Sequence, residues 1–365
     1  MDFTSEIIKW YEANQRQLPW RETTDPYLIW ISEIILQQTQ VKQGLSYYLR
    51  FVERFPNVRS LADASTDEVL QYWQGLGYYS RARNLHQAAQ LVMQNGGVFP
   101  TDYKGVRALK GVGDYTAAAI CSFAYKQPCA VVDGNVYRVL SRFFGVETPI
   151  DSTKGKREFS ELAMEVLDKK HPDVYNQAIM DFGAKHCSPS RPLCETCPLS
   201  GGCIALSTGR VSVLPVKSKK TKQEIRHLVY VIIRCGNVVY IRQRPPGDIW
   251  AGLYEPVLLE FNGEASDREV VENVGKLVGG SLKSMRCVKK QMKHVLTHRV
   301  LMVDAYEADI EAPVSIDGYI SVENKELCNY LYRDWWRKFL NALADDSFFS
   351  RASLALLIQL TTTGF

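Results

Sequence analysis

The chain has 365 residues, 46% of them apolar and 23% charged, with a formal net charge of +4. That balance excludes a disordered chain, a collagen and a coiled coil, and no run of about 18 apolar residues is present to form a membrane span. The length predicts two domains, since a single core seldom grows past about 250–300 residues. The stretch from Met1 to Trp10 carries two acids and lacks the basic-then-apolar order of a signal peptide, so a cytoplasmic, reducing compartment is expected. Acids and bases balance over residues 1–206, which leaves the whole basic excess to the remainder. A mild excess of this kind permits a polyanionic partner without requiring one.

Residues 1–206 read as mainly helical, with apolar residues at helical spacing in 61–76, 82–94, 115–124, 133–144 and 156–168. The earliest informative stretch is Leu28 to Leu36, LIWISEIIL, which is apolar except at Ser32 and Glu33. A segment apolar on nearly every side is buried. A carboxylate in its middle costs several kcal/mol unless it is paired or protonated. Desolvation pushes such a group toward neutrality, the tuning that a general acid needs. A buried glutamate satisfied by a neighbouring base is the bland alternative. Further along, Gly75-Leu76-Gly77-Tyr78-Tyr79-Ser80-Arg81-Ala82-Arg83 sets two aromatics on a glycine turn with two bases after it. A ring there could intercalate where a base has left the stack and the arginines could hold phosphate; a helix start with a surface aromatic is the plain reading.

Leu109-Lys110-Gly111-Val112-Gly113 precedes an apolar helix. Two glycines permit a sharp turn that presents backbone N–H groups at a helix N-terminus, where phosphate binds without a basic side chain. A simple turn is the alternative. Asp133, in Val132-Asp133-Gly134-Asn135, is placed to cap the helix that follows, a position that favours its ionised form. Cys187, Cys194, Cys197 and Cys203 have the spacing C-x6-C-x2-C-x5-C. Four thiolates so close together can surround one soft metal centre. One tight pair with two singly spaced ligands suits a cubane [4Fe–4S] cluster better than zinc, which more often uses two C-x2-C knuckles, although a structural zinc loop stays open.

Residues 207–225 are polar, basic and Pro-containing and read as a linker. After them the character changes. Two β-branched runs around Cys235-Gly236-Asn237 predict a hairpin, strand-like runs follow at 254–261 and 300–306, and a helix is expected near 266–278. Residues 226–345 are therefore read as an α+β domain, and 346–365 as a tail of no evident role.

The cysteine spacing resembles the iron–sulfur loop (187–203) of the endonuclease III and MutY branch of DNA glycosylases, and the likeness covers nearly all of residues 10–206. It implies an all-α glycosylase domain over 1–206, with a helix–hairpin–helix at about 105–125 and one [4Fe–4S] cluster held by Cys187, Cys194, Cys197 and Cys203. Gly111 and Gly113 would bind a DNA phosphate. Glu33, standing before Leu36-Gln37-Gln38-Thr39-Gln40-Val41, matches the acid that protonates adenine N7, and Gln38 the residue that enters the DNA stack. Asp133, twenty residues after Gly113, matches the catalytic aspartate. Two residues after Gly113 the glycosylase/lyases carry a lysine that forms a Schiff base; here stands Tyr115, and a phenol forms no imine. The implied enzyme is monofunctional. Leu18, Trp20 and Arg21, in Leu18-Pro19-Trp20-Arg21 ahead of Asp25-Pro26-Tyr27, would wall the adenine pocket. Gln177 would read the adenine edge, Tyr115 and Asn135 would support the site, and Tyr78 would act with Gln38 as the wedge.

The MutY family also carries a C-terminal Nudix-like domain that inspects 8-oxoguanine, and residues 226–345 have its place, size and character. Gly252-Leu253-Tyr254-Glu255-Pro256 resembles one of its recognisable stretches. Leu296-Thr297-His298 stands where the family usually has Phe-Ser-His, so a hydroxyl and an imidazole remain for the lesion while the aromatic is gone. Of a Nudix box, Glu260, Arg268, Glu269 and Glu272 fall in step, but Tyr254 and Asn273 replace a glycine and a metal-binding glutamate, which argues against nucleotide hydrolysis. The implied partner is duplex DNA with adenine opposite 8-oxoguanine or guanine, bound by a monomer away from any membrane. Three other readings compete: a glycosylase/lyase for oxidised pyrimidines, disfavoured by Tyr115; a non-catalytic iron–sulfur regulator, disfavoured by the retained Glu33 and Asp133; and a nucleotide hydrolase, disfavoured by the broken box.

Overall fold

The computed structural model describes residues 2–218, 223–296 and 298–330. Chain contacts divide it into a helical unit, residues up to Leu76 and from Ser80 to 218, and a β-rich unit of the residues after 222, to which Gly77–Tyr79 are also assigned.

The helices of the first unit are α1 Phe3–Asn14, α2 Pro26–Leu36, α3 Val41–Arg54, α4 Val58–Ala62, α5 Thr66–Trp73, α6 Ser80–Gln94, α7 Tyr103–Arg107, α8 Asp114–Tyr125, α9 Gly134–Phe144, α10 Thr153–Glu165, α11 Pro172–Asp181 and α12 Ile204–Ser207. The single helix expected over 61–76 is two helices, α4 and α5. Ser65 breaks it by accepting the Glu68 N–H at 3.1 Å, and Asp67 and Glu68 then suit the first turn of the new helix.

Helix α2 forms because Pro26 occupies its first turn and the Asp25 carboxylate accepts the Tyr27 N–H at 2.8 Å. Ile29, Trp30, Ile31, Ile34 and Ile35 are all buried, so both sides of the helix lie in the core. Its C-terminal end is closed by Arg81 of α6, which donates to the carbonyls of Ile34 (2.8 Å), Ile35 (3.0 Å) and Gln37. The guanidinium expected to hold phosphate is thus engaged as a helix cap. A second core joins α1, α9, α10 and α11 through Ile7, Leu140, Phe159 and Ile179. The chain after α12 stays on this unit: Leu214 O accepts from Arg142 and Val216 O from the Ile150 N–H, so the first part of the stretch read as linker is bound in place.

The second unit contains one six-stranded sheet. Its strands are β1 Glu224–Cys235, β2 Val238–Gln243, β3 Tyr254–Phe261, β4 Leu282–Val295, β5 Arg299–Ile310 and β6 Ile320–Glu323, in the order β4-β5-β1-β3-β2-β6. The hairpin predicted around Gly236-Asn237 is present, with Gly236 at φ +57° in the turn. β1 pairs parallel with β5, from Glu224 opposite Arg299 to Arg234 opposite Asp309; the other pairings are antiparallel. Helix α13, Asp267–Leu277, covers one face through Val270 and Val274 against Val229, Val231 and Ile233.

Candidate active site

Glu33 lies in the middle of α2 and is 7% exposed. It borders a cavity of about 440 Å³ together with Asp133, Tyr115, Asn135, Trp20 and Gln177; Leu18 and Arg21 also line it. Residues from five separate stretches of sequence thus meet at one void. No lysine is among the described residues that line it. The nearby Lys110 bonds the Gln87 side chain instead.

Burial pushes the Glu33 carboxyl up to about 7; a hydrogen bond from Tyr115 and the charge of Arg21 pull against this, while the charge of Asp133 adds to it. The Tyr115 phenol is itself pushed far above its ordinary range, first by burial and then by Glu33 and Asp133. It therefore keeps its proton; its Oη is directed at Met180 Sδ at 3.5 Å and lies near enough to Glu33 to lower that carboxyl. Asp133 caps α9 as expected, accepting from the Asn135 N–H (2.9 Å), the Val136 N–H (2.8 Å) and the Asn135 side chain (2.7 Å). Even so, burial wins over these contacts and over the charge of Arg138, and the carboxyl is raised. The N–H groups of the helix start favour the ionised form, as capping implies, and moderate the shift without reversing it.

Asn135 is held in turn by Arg138, whose Nη2 donates to Asn135 Oδ1 (2.8 Å) and to Gly183 O (2.6 Å) and whose Nε donates to Cys187 O (2.7 Å). A side chain at Gly183 would collide with Asn135, a Cβ there meeting the Asn135 Cβ at 2.7 Å. The absence of a side chain brings the end of α11 onto the start of α9 at that point.

Arg21 places Nη1 and Nη2 on the two oxygens of Asp181, at 2.8 and 2.9 Å, and Arg16 donates to the same carboxylate. Asp181 has no exposed surface. Burial raises its carboxyl, but the hydrogen bonds and charges of Arg21 and Arg16 lower it further, below the usual range. Arg16 and Asp181 escaped sequence reading. A lone acid in the apolar run Ala178-Ile179-Met180-Asp181-Phe182 was the available signal, of the same kind that singled out Glu33.

Gln38, on the turn after α2, and Tyr78, in the loop before α6, take the left-handed region at φ +56° and +47°, and both are exposed. Backbone strain of about 1–3 kcal/mol at such a residue persists only where surrounding structure enforces it. Gly111 takes φ +81°, and Gly113 is the N-cap of α8 with open space where a side chain would stand, so the first N–H groups of that helix are approachable. The four cysteines Cys187, Cys194, Cys197 and Cys203 surround one small cavity with Arg142, whose Nη1 lies 3.4 Å from Cys187 Sγ. Among the described residues no three His, Cys, Asp or Glu side chains converge to hold a single metal ion.

In the β-rich unit Leu296 and His298 lie at the tip of the β4–β5 hairpin, closed by the Leu296 N–H donating to Arg299 O at 2.7 Å; His298 is exposed. Thr297 lies outside the described residues, as does the tail 346–365. Glu255, from the Gly252–Pro256 stretch, is buried and ion-paired with Arg242 and Arg244. The acids in step with a Nudix box have structural partners: Glu260 receives the Arg226 fork at 2.6 and 2.8 Å, Glu269 completes a capping box with Ser266, and Glu272 pairs with Lys276.

Comparison with known proteins agrees with this geometry. The HhH-GPD superfamily base excision DNA repair protein family matches residues 31–167, and the NUDIX domain family matches residues 228–342. The helical unit resembles a thermostable thymine-DNA glycosylase at 31% identity and TM-score 0.53, covering 56% of this chain and 95% of that one. An endonuclease III–DNA complex, at 22% identity and TM-score 0.50 over 56% of this chain and 94% of that one, shares the fold. The class is thus a helix–hairpin–helix base-excision repair protein with an appended Nudix-type domain. More narrowly, adenine DNA glycosylases resemble it in Buchnera aphidicola (35% identity; 69% of this chain, 72% of the relative), in Schizosaccharomyces pombe (30%; 81% and 79%) and in Mus musculus (41%; 58% and 44%). The chain belongs to the adenine DNA glycosylase family.

Proposed function

We propose that the protein hydrolyses the N-glycosidic bond of adenine mispaired with 8-oxoguanine or guanine in duplex DNA, leaving an abasic site. The observation that carries this reading is the pair Glu33 and Asp133 at one cavity, with a phenol and no amine beside them. Adenine is a poor leaving group. Glu33, held near neutrality, gives its proton to N7 as the bond breaks. Positive charge then develops on the sugar, and Asp133 stabilises or captures the resulting oxocarbenium ion. Glu33, now anionic, activates the water that completes hydrolysis. Tyr115 and Asn135 hold the two carboxyls, and Leu18, Trp20, Arg21 and Gln177 bound the base.

In this reading Gln38 and Tyr78 enter the stack, Gly111 and Gly113 hold a phosphate, and the hairpin tip with Leu296, Thr297 and His298 faces the lesion base. The four cysteines hold one [4Fe–4S] cluster. The four thiols line one cavity, and their spacing, one tight pair with two singly spaced ligands, suits a cubane core better than the paired knuckles of a zinc site. Such a cluster would brace the loop from Cys187 to Cys203, and no step of hydrolysis passes through it. Among the described residues no helix is long and apolar enough to cross a membrane.

Single-turnover excision on duplexes containing A:8-oxoG, A:G, A:T and thymine glycol tests the proposal. Release of adenine chiefly opposite 8-oxoguanine, leaving a strand that is alkali-labile but uncut and not trapped by borohydride, is the expected result. Cleavage at thymine glycol with a borohydride-trapped adduct would replace it with a glycosylase/lyase.

A further inference from the structure

We propose that Tyr11 is a positioning residue for base recognition: its hydroxyl holds the carbonyl end of the Gln177 amide, so that the Nε2 end faces the base cavity and requires a ring-nitrogen acceptor from the extruded base. This rests on adenine excision at Glu33 and Asp133 as proposed above. Tyr11 stands in the last turn of α1, almost fully buried, and its Oη donates to Gln177 Oε1 at 2.9 Å. Gln177 lies on a wall shared by two cavities, the 440 Å³ base cavity and a neighbouring one of about 660 Å³. Tyr11 lines only the second. The carbonyl is therefore turned toward that second space, and the NH2 group is the end left for the base.

The holding group is itself held. The Arg21 guanidinium lies 5.8 Å from the centre of the Tyr11 ring and is fixed by Asp181. Asp181 and Gln177 are one turn apart on α11, hence on the same helix face. Burial raises the Tyr11 phenol, which keeps the donor proton in place. An amide free to rotate by half a turn would offer either a donor or an acceptor. The anchored amide offers the donor. Adenine has ring acceptors at N1, N3 and N7 and a donor at its exocyclic amine. With N7 taken by the Glu33 proton, Nε2 is left to meet N1 or N3.

The test is single-turnover excision by the full chain from duplexes carrying deoxyadenosine, its 1-deaza and 3-deaza analogues, or purine deoxyriboside without the amine, each opposite 8-oxoguanine. Wild type, Tyr11→Phe and Gln177→Leu are compared, with duplex affinity and melting temperature measured alongside. Comparing the analogue-to-adenine ratio between variants cancels each analogue's intrinsic reactivity. One deaza analogue should be slowed about tenfold by wild type, the effect of one lost hydrogen bond that leaves a buried donor unpaired. Tyr11→Phe should slow adenine by a similar factor and erase that analogue's penalty, and Gln177→Leu should erase it as well, so the result survives if one variant folds poorly. Two results overturn the proposal: Tyr11→Phe treating all four substrates in wild-type proportions, or a Tyr11-dependent penalty on the substrate without the amine, which would place the carbonyl toward the base. Failure of wild type to release adenine at all would instead remove the functional reading beneath it.

Discussion

Replacing Glu33 by Gln should stabilise the fold at neutral pH while abolishing excision. The carboxyl is raised from its ordinary 4.5 to about 7, burial being the largest cause. The folded state therefore binds this proton more tightly than the unfolded chain does. Its contribution to stability is fully present below about pH 4.5 and is lost as pH rises through about 7. At about 1.4 kcal/mol for each tenfold change in proton affinity, ionising Glu33 in place costs about 3 kcal/mol by pH 8. A neutral glutamine of the same shape avoids that cost. Chemical denaturation of the full chain, followed by its helical circular dichroism, should find the variant more stable than wild type by up to about 3 kcal/mol at pH 8 and nearly equal to it at pH 4.5. Affinity for A:8-oxoG duplex should be retained. Equal stability differences at the two pH values, or a variant less stable at pH 8, would refute the claim that Glu33 is a desolvated, unpaired acid. Normal adenine release by the variant would refute its role.

Other outcomes follow from the same contacts. Tyr115→Phe removes a hydrogen bond that lowers Glu33, so the alkaline limb of the single-turnover pH profile should move above about 7; a limb that moves down would contradict the assigned donor direction. Asp181→Asn leaves Arg16 and Arg21 without their buried carboxylate, and by analogy with broken buried ion pairs should destabilise the chain by about 3 kcal/mol or more, read by urea denaturation near pH 7. Because the Asp181 carboxyl is lowered, its stabilisation is present above its ordinary value of 3.8 and lost as pH falls below it, so the deficit of the variant should shrink in acid. Asn135→Ala withdraws one of the hydrogen bonds that oppose the burial of Asp133, and excision should fall about tenfold or more with little loss of duplex binding. Incubation with magnesium and 8-oxo-deoxyguanosine triphosphate should give no hydrolysis, since Glu260, Glu269 and Glu272 are already paired.

The readable elements were those whose function forces a local anomaly. Glu33 stood out because one acid interrupts an apolar helix, whereas Asp133 read locally only as the cap of the helix that follows, its catalytic role being implied by its offset from Gly113 in the family resemblance. The two-part fold was legible in the change from helical to strand-like periodicity near residue 207. Strand β4 was not, because it lies at the sheet edge: most of its side chains face solvent, and Lys283, Arg286, Lys289 and Lys293 leave little apolar alternation to detect. The parallel pairing of β1 with β5 was equally hidden, since register between distant strands has no local signature. Arg81 misled for a related reason. A base after a glycine turn reads as a phosphate ligand, and only the tertiary fold shows that the open end of α2 lies within its reach. Tyr11 and Gln177, 166 positions apart in sequence, come together only through packing of α1 on α11.

Three carboxyls at this site receive three different treatments, and the differences follow from their partners. Asp181 is fully buried but meets two guanidinium groups, and it ends below its ordinary range. Asp133 meets the N–H groups of a helix start, one amide and a more distant arginine; these moderate the effect of burial and leave the group raised. Glu33 has beside it a neutral phenol and an Arg21 already engaged by Asp181, and it rises to about 7. Burial alone would have pushed all three upward. The placement of positive charge is therefore what separates an acid poised to release a proton from an aspartate that serves as scaffold. Arg21 belongs to both sides of that division: it lines the base cavity, yet its terminal nitrogens are turned to Asp181. Freeing Arg21 from Asp181 would let it approach Glu33 and lower that carboxyl. Asp181→Asn should then shift the alkaline limb of excision below about 7, opposite to Tyr115→Phe. Two variants that move one pH profile in opposite directions would tie both effects to the same proton, whereas a profile unmoved by either would detach that proton from Glu33.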